Sequence, residues 1–268
     1  MPTVKVGDIN MYYEDHGKGE PLLLIPGWGT DLTSWRFQIP EFSKKYRVIA
    51  FDNRGTGRTD APDKPYSMKM MADDAVGLLD ALGIGKAHLL GISMGGGIAQ
   101  GIAIEFPERT KSLILAATIA APDTHPMLGH TLRAFAAAMT EGVSPKTIAR
   151  IQLPYLVTSQ FFENPEMVSM WVEVMAGNPC RPRGYACNRQ TDACAGQDAR
   201  AQLKQITAPT LVLVGKEDIL LPVKLSEELA ALIPRARLVV LEGGAHGFFI
   251  EIPNKFNQAV LEFLAEID

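Results

Sequence analysis

The sequence predicts an α/β protein: a doubly wound, mostly parallel eight-stranded sheet with an inserted helical cap. Three observations carry this. Short, uniformly apolar runs recur along the chain, helix-like stretches separate them, and one long interval without a strand breaks the alternation. Continuous apolar runs mark strands covered on both faces, as in a parallel sheet, and regular exchange of strand and helix marks a doubly wound layer structure.

Thr3 to Val6 and Ile9 to Glu14 alternate in polarity about Gly7-Asp8, which predicts an opening β-hairpin. After Gly17-Lys18-Gly19 come the apolar runs Leu22 to Ile25, Tyr46 to Phe51, Ala87 to Leu90, Ser112 to Ala116, Thr210 to Val214 and Ala236 to Leu241. Helix-like stretches lie between or after them: Met68 to Leu82 stopping at Gly83, Met94 to Phe106 stopping at Pro107, Val223 to Leu232 stopping before Pro234, and Lys255 to Glu266.

From Pro122 to Gln205 no strand is expected. Phe135, Met139, Ile151, Leu156, Phe161, Met167, Met170, Trp171 and Met175 fall in helical patterns that Pro145, Pro154, Pro165, Pro179 and Pro182 cut. The predicted division is a core of residues 1–121 and 206–268 and a helical cap, or lid, of residues 122–205. Met and aromatic stripes of this kind mostly seal helices onto their neighbours, but some must line the space beneath. Phe135, Met139, Leu156, Phe161, Met170 and Trp171 are the candidates.

A chain of 268 residues fits one α/β core plus such an insertion. Hydrophobic residues make up 47% and charged residues 21%, and a net charge of −4 leaves no basic surplus to hold nucleic acid or an anionic membrane. The longest uncharged apolar run, Leu113 to Pro122, is well short of the ~20 residues that span a bilayer. Met1 to Gly7 contains no apolar signal region, so a cytoplasmic location is expected. Cys180, Cys187 and Cys194 cannot all pair within one chain, and their spacing would stack them along one helical stripe. Small apolar residues of a reducing compartment are expected there, with no metal and no cofactor.

Gly91-Ile92-Ser93-Met94-Gly95 stands where an apolar strand gives way to a small-residue helix, the pattern of a nucleophile elbow. There the serine takes a strained backbone angle, and the residues two before and two after it pack too closely for a Cβ. A serine hydroxyl needs a base, and the base needs a third group to orient it and stabilise its charge. His246 lies in the glycine-flanked loop Glu242 to Gly247 after the last strand, at the carboxyl edge where ligands gather in open α/β sheets. His16, His88, His125 and His130 read as structural. Asp218, in a loop after Thr210 to Val214 that Pro222 closes, is the expected acid, ahead of Glu217 and Asp123. Oxyanion donors are expected from the Met94 N–H and from Trp28 N–H in Pro26-Gly27-Trp28-Gly29-Thr30. Gly55-Thr56-Gly57 has neither the dinucleotide spacing nor a P-loop lysine and reads as a turn.

With these pieces the chain resembles the α/β-hydrolase superfamily over nearly its whole length. The matching stretches are Leu22 to Gly29, Phe51 to Thr59, Gly91 to Gly97, Pro209 to Asp218 and Gly243 to Pro253. It is most similar to small cap-bearing carboxylesterases and 3-oxoadipate enol-lactonase-like members. Many relatives open the oxyanion loop with His-Gly, whereas this chain has Pro26-Gly27, so the support of the loop differs. The resemblance implies a serine hydrolase of small esters or lactones. An enol-lactonase, a perhydrolase, a proline iminopeptidase-like peptidase and a non-catalytic sensor are the rivals. Between Pro122 and Gln205 eight Lys and Arg stand against seven Asp and Glu, a balance that does not itself build an anion pocket. Oligomeric state and physiological substrate are not set by the sequence.

Overall fold

Six strands of one sheet run parallel because their connections are long enough to cross back over a face, and the antiparallel pairings are confined to the N-terminal hairpin and its junction with them. A computed structural model describes residues 2–267. In chain order the elements are β1 (Thr3–Val6), β2 (Ile9–His16), β3 (Pro21–Ile25), α1 (Ile39–Phe42), β4 (Arg47–Phe51), α2 (Met68–Ala81), β5 (Ala87–Ile92), α3 (Met94–Glu105) and β6 (Thr110–Ala116). A helical insertion follows, with α4 (Pro126–Thr140), α5 (Pro145–Leu156), α6 (Pro165–Ala176), α7 (Gly184–Ala195) and α8 (Arg200–Leu203). The chain then returns to β7 (Thr210–Gly215), α9 (Val223–Leu232), β8 (Ala236–Leu241), α10 (Phe248–Glu251) and α11 (Pro253–Ala265). The strand order is β1-β2-β4-β3-β5-β6-β7-β8, antiparallel at β1·β2 and β2·β4 and parallel from there on. This is the eight-stranded, mostly parallel sheet the apolar runs predict, with strand and helix ends shifted by one or two residues.

Alternation within each strand explains why those runs are uniformly apolar. Leu23, Ile25, Ile49, Leu89, Leu113 and Val212 point to the face covered by α2, α3 and α9. Leu22, Leu24, Val48, Leu90, Ile114 and Leu213 point to the opposite face, under α1 and α11. Local signals place the covering helices. The Ser67 hydroxyl accepts the Met70 N–H at 3.1 Å to start α2, and Gly83, at φ +68°, lets the chain turn after it.

Two expectations about elements fail. Ala236–Leu241 is only half-buried rather than covered on both faces, because β8 is the edge strand with β7 as its single neighbour. Pro154 does not cut its helix. It sits exposed in the last turn of α5, where the ring removes a single helical N–H donor and the chain continues to Leu156. Among the described residues no helix is long and apolar enough to cross a membrane.

Candidate active site

The turn from β5 into α3 holds Ser93 at φ 55° and ψ −120°, a region L-residues rarely occupy. Close packing demands the flanking glycines, though not by mutual contact alone. A Cβ at Gly91 would collide with the carbonyl of Gly95, and a Cβ at Gly95 would collide with the carbonyls of Ile25 and Pro26. Backbone bonds lock the turn to the sheet: Ser93 N–H donates to Ala116 O at 2.9 Å, and Ala117 N–H, itself at φ +42°, donates to Leu213 O at 2.8 Å. Between residues 87 and 100 Ser93 alone is not buried. The hydroxyl is therefore presented on an otherwise sealed element.

Asp218 and His246 come together beyond the carboxyl ends of β7 and β8. Asp218 Oδ2 lies 2.8 Å from His246 Nδ1, and Asp218 Oδ1 accepts the N–H groups of Leu220 and Leu221 at 2.9 and 2.7 Å. Both side chains are buried. Their loops are zipped together by Lys216 N–H to Leu241 O and Glu217 N–H to Gly244 O, each 3.0 Å, with Gly215 packed so tightly on Gly244 and Ala245 that a Cβ would strike their carbonyls. With Nδ1 facing the carboxylate, Nε2 is the ring nitrogen left for a partner. The competing carboxylates are elsewhere: Glu217 is exposed, and Asp123 pairs with Arg200 at 2.8 Å. His16 bonds Glu14 at 3.0 Å, and buried His88 bonds Ser112 at 2.7 Å.

The loop after β3 brings Gly27 against the serine, where a Cβ would lie 3.5 Å from Ser93 Cβ. Neither Trp28 N–H nor Met94 N–H has a hydrogen-bond acceptor among the described residues, so both donors are free for a ligand. The support that replaces the usual His-Gly opening is polar and remote in sequence. Asn53 Nδ2 donates to Pro26 O at 3.0 Å, and buried Asp52 accepts Leu32 N–H and Arg58 N–H, each at 2.8 Å. Burial pushes the Asp52 carboxyl up to about 6, against the two backbone donors that favour its ionised form. The Gly55-Thr56-Gly57 segment is a turn, as expected, one residue beyond Asp52 and Asn53.

A second set of bonds comes from α7 and from the segment before it. Trp28 Nε1 donates to Cys187 O at 3.1 Å and to Thr191 Oγ1 at 2.9 Å. Gln190, fully buried, accepts Gly29 N–H at 2.9 Å and donates to Arg54 O at 3.0 Å. Asn178 Nδ2 reaches Asp31 Oδ2 at 2.7 Å. Sequence reasoning missed Asp52, Asn53, Gln190 and Thr191. Polar residues at buried positions were the available signal, but burial of each depends on contacts across 20 to 163 residues of chain.

The six expected pocket residues separate. Phe135 is buried, with its ring 6.4 Å from that of Trp28 and 5.7 Å from that of Tyr155, and it lines a cavity of about 410 Å³ between α4 and α5. Leu156 O accepts Gly247 N–H at 2.6 Å, directly beside His246. Met139 Sδ lies 3.8 Å from Cys187 Sγ. Phe161 and Trp171 instead join Leu153 and Val172 in a cluster internal to the insertion, and Trp171 also meets Arg36 and Phe37. Met170, on α6, is half exposed. Leu128, Leu132, Leu220, Leu221 and Leu225 form a further apolar cluster that Trp28, Ile119 and Tyr155 join, and none of the five leucines was singled out from sequence. The cysteines are free thiols, and Cys180 lies outside α7, so only Cys187 and Cys194 share a helix. Among the described residues no group of three or more His, Cys, Asp and Glu side chains is placed to hold a metal ion.

Comparison with known proteins agrees with the fold. The family described as the alpha/beta hydrolase fold matches residues 20–144. A protein named as a putative carbamate hydrolase, RutD, of Azorhizobium caulinodans is 33% identical over the full length of both chains. A protein named 3-oxoadipate enol-lactonase 2 of Acinetobacter baylyi is 33% identical over 264 residues, covering 96% of this chain and 94% of that one. The solved structure of a thermophilic esterase from Thermogutta terrifontis superposes with a TM-score of 0.87 at 34% identity, over 100% of this chain and 99% of that one. The chain belongs to the α/β-hydrolase superfamily, a family of hydrolytic enzymes.

Proposed function

We propose that the protein is a cofactor-independent carboxylesterase that cleaves small, neutral carboxylic esters through an acyl-enzyme on Ser93. The observation that carries the reading is the Asp218–His246 hydrogen bond at 2.8 Å, formed at the same sheet edge that presents Ser93. In this reading His246 takes the Ser93 proton as the hydroxyl oxygen attacks the ester carbonyl, and Asp218 stabilises the resulting imidazolium. The Met94 and Trp28 N–H groups hold the oxyanion, each donor of this kind being worth about 3 kcal/mol in the transition state. His246 then protonates the leaving alcohol, and water activated by the same imidazole releases the acid. Residues 122–205 act as the cap over this site.

The preference for a neutral substrate rests on charge. None of the eight Lys and Arg between residues 122 and 205 is buried, and Arg133, Lys146, Arg189 and Arg200 are already paired with Asp192, Glu173, Asp63 and Asp123. The apolar cluster of Leu128, Leu132, Leu220, Leu221 and Leu225 that Trp28 joins supports the same choice. A lactonase reading is favoured by the enol-lactonase relative. The frame alone does not choose between them. Turnover of p-nitrophenyl acetate and butyrate set beside a carboxylate-bearing enol-lactone tests the choice. Faster hydrolysis of the neutral esters is expected, and efficient hydrolysis of the lactone alone would overturn it.

A further inference from the structure

We infer that Glu251 is a positioning residue that ties His246 to the cap, so that the base is held in register only while residues 156–158 are seated. The inference rests on the serine-hydrolase reading above.

Asp218 fixes the His246 ring through Nδ1 but leaves open what fixes the backbone from which the ring hangs. On the N-terminal side, Ala245 N–H donates to Glu251 Oε2 at 3.1 Å. The other carboxylate oxygen, Oε1, accepts both Thr158 N–H at 2.9 Å and Thr158 Oγ1 at 2.6 Å. On the C-terminal side, Gly247 N–H donates directly to Leu156 O at 2.6 Å. The residues before and after His246 are thus both bonded, one through a carboxylate and one directly, to the same short stretch at the end of α5. Thr158 is only 5% exposed, so its bonds to Glu251 are sheltered from water. Gly247 admits no side chain at this contact, since a Cβ there would stand 2.8 Å from Leu156 O.

The chemistry of the clamp demands a carboxylate. All three groups that meet Glu251 here are donors. Glutamine in its place would turn an NH₂ toward one of the N–H groups, and keep at most one arm intact. Seating of the cap and alignment of the base thereby become one event.

The experiment combines Glu251→Gln, Thr158→Val and the double variant, with kcat and KM for p-nitrophenyl butyrate, melting temperature, and the rate at which a fluorophosphonate labels Ser93. Thr158→Val keeps the volume and removes one bond of the clamp from the cap side. Glu251→Gln is expected to lower kcat roughly 10- to 100-fold, the scale of a small misplacement of a catalytic group. KM is expected to stay within about 2-fold, because an interaction felt mainly in the transition state changes kcat. Thr158→Val is expected to lower kcat in the wild-type background and to add nothing once Glu251→Gln is present, the signature of a shared contact. Folded Glu251→Gln or Thr158→Val protein with wild-type kcat and labelling rate would overturn the clamp while leaving the hydrolase reading intact. So would effects of the two substitutions that simply multiply. Failure of wild-type Ser93 to accept the phosphonate would instead overturn the hydrolase reading, and the clamp with it.

Discussion

Asp218 divides its carboxylate between two tasks: Oδ1 is held by the Leu220 and Leu221 amides, and Oδ2 faces His246 Nδ1 at 2.8 Å. The first task fixes the carboxylate, and the second fixes the imidazole. Asp218→Asn retains the first and inverts the second, because an amide NH₂ facing Nδ1 forces the wrong tautomer. Turnover should fall roughly 10⁴-fold with the fold retained, as for the corresponding change in a serine protease triad. Steady-state kinetics and circular dichroism of the variant check this, and a loss below about 10-fold would count against His246 as the base.

Asn53 and Gln190 each bond the Trp28 loop, at Pro26 O and at Gly29 N–H. Asn53→Ala leaves Pro26 O without its donor, and Gln190→Ala orphans both Gly29 N–H and Arg54 O. Each should cost about 1–3 kcal/mol of stability, the penalty for stranding buried backbone groups. Each should also lower kcat more than it raises KM, because in the proposed mechanism the displaced donor serves the transition state. Urea melts alongside kinetics separate the two effects.

Asp52 supplies a pH signature. Its folded value of about 6 lies above the ordinary 3.8, so between those values the folded chain binds this proton more tightly than the unfolded chain. The carboxyl therefore costs stability when ionised above pH 6, and the cost is relieved as pH falls through 6 toward 4. Compared with Asp52→Asn, wild type should gain up to roughly 3 kcal/mol over that interval. Chemical denaturation of both proteins at several pH values between neutrality and the ordinary carboxylate range measures the difference, and a constant offset would contradict it.

Burial also pushes the Cys187 thiol up to about 12, beside Met139 and Gly29. Thiolate is the reactive form, so Cys187 should resist iodoacetamide at mildly alkaline pH in the folded protein and react once unfolded. Peptide mapping of the alkylated sites gives the answer.

The sequence was most legible where chemistry and backbone geometry coincide. Gly91, Ser93 and Gly95 announce the elbow because only glycine tolerates carbonyls that close, and Leu22 to Ile25 announces a central strand because both faces are covered. Asp218 and His246 follow from their loops at the carboxyl edge. Asp52, Asn53, Gln190, Thr158 and Glu251 were illegible. Each is an ordinary polar residue until the fold brings it a backbone partner from another part of the chain. Cys180 misled for a related reason: seven-residue spacing says which residues could share a helical stripe but not where the helix begins.

Intact-mass and peptide analysis after diethyl p-nitrophenyl phosphate treatment, run on wild type and Ser93→Ala with ester turnover measured in parallel, decides whether Ser93 is the nucleophile. One phosphoryl adduct is expected, on Ser93, with complete loss of turnover, and a Ser93→Ala protein should take no adduct and hydrolyse esters about 10⁶-fold more slowly. An adduct on another residue, or undiminished turnover in folded Ser93→Ala, would contradict it.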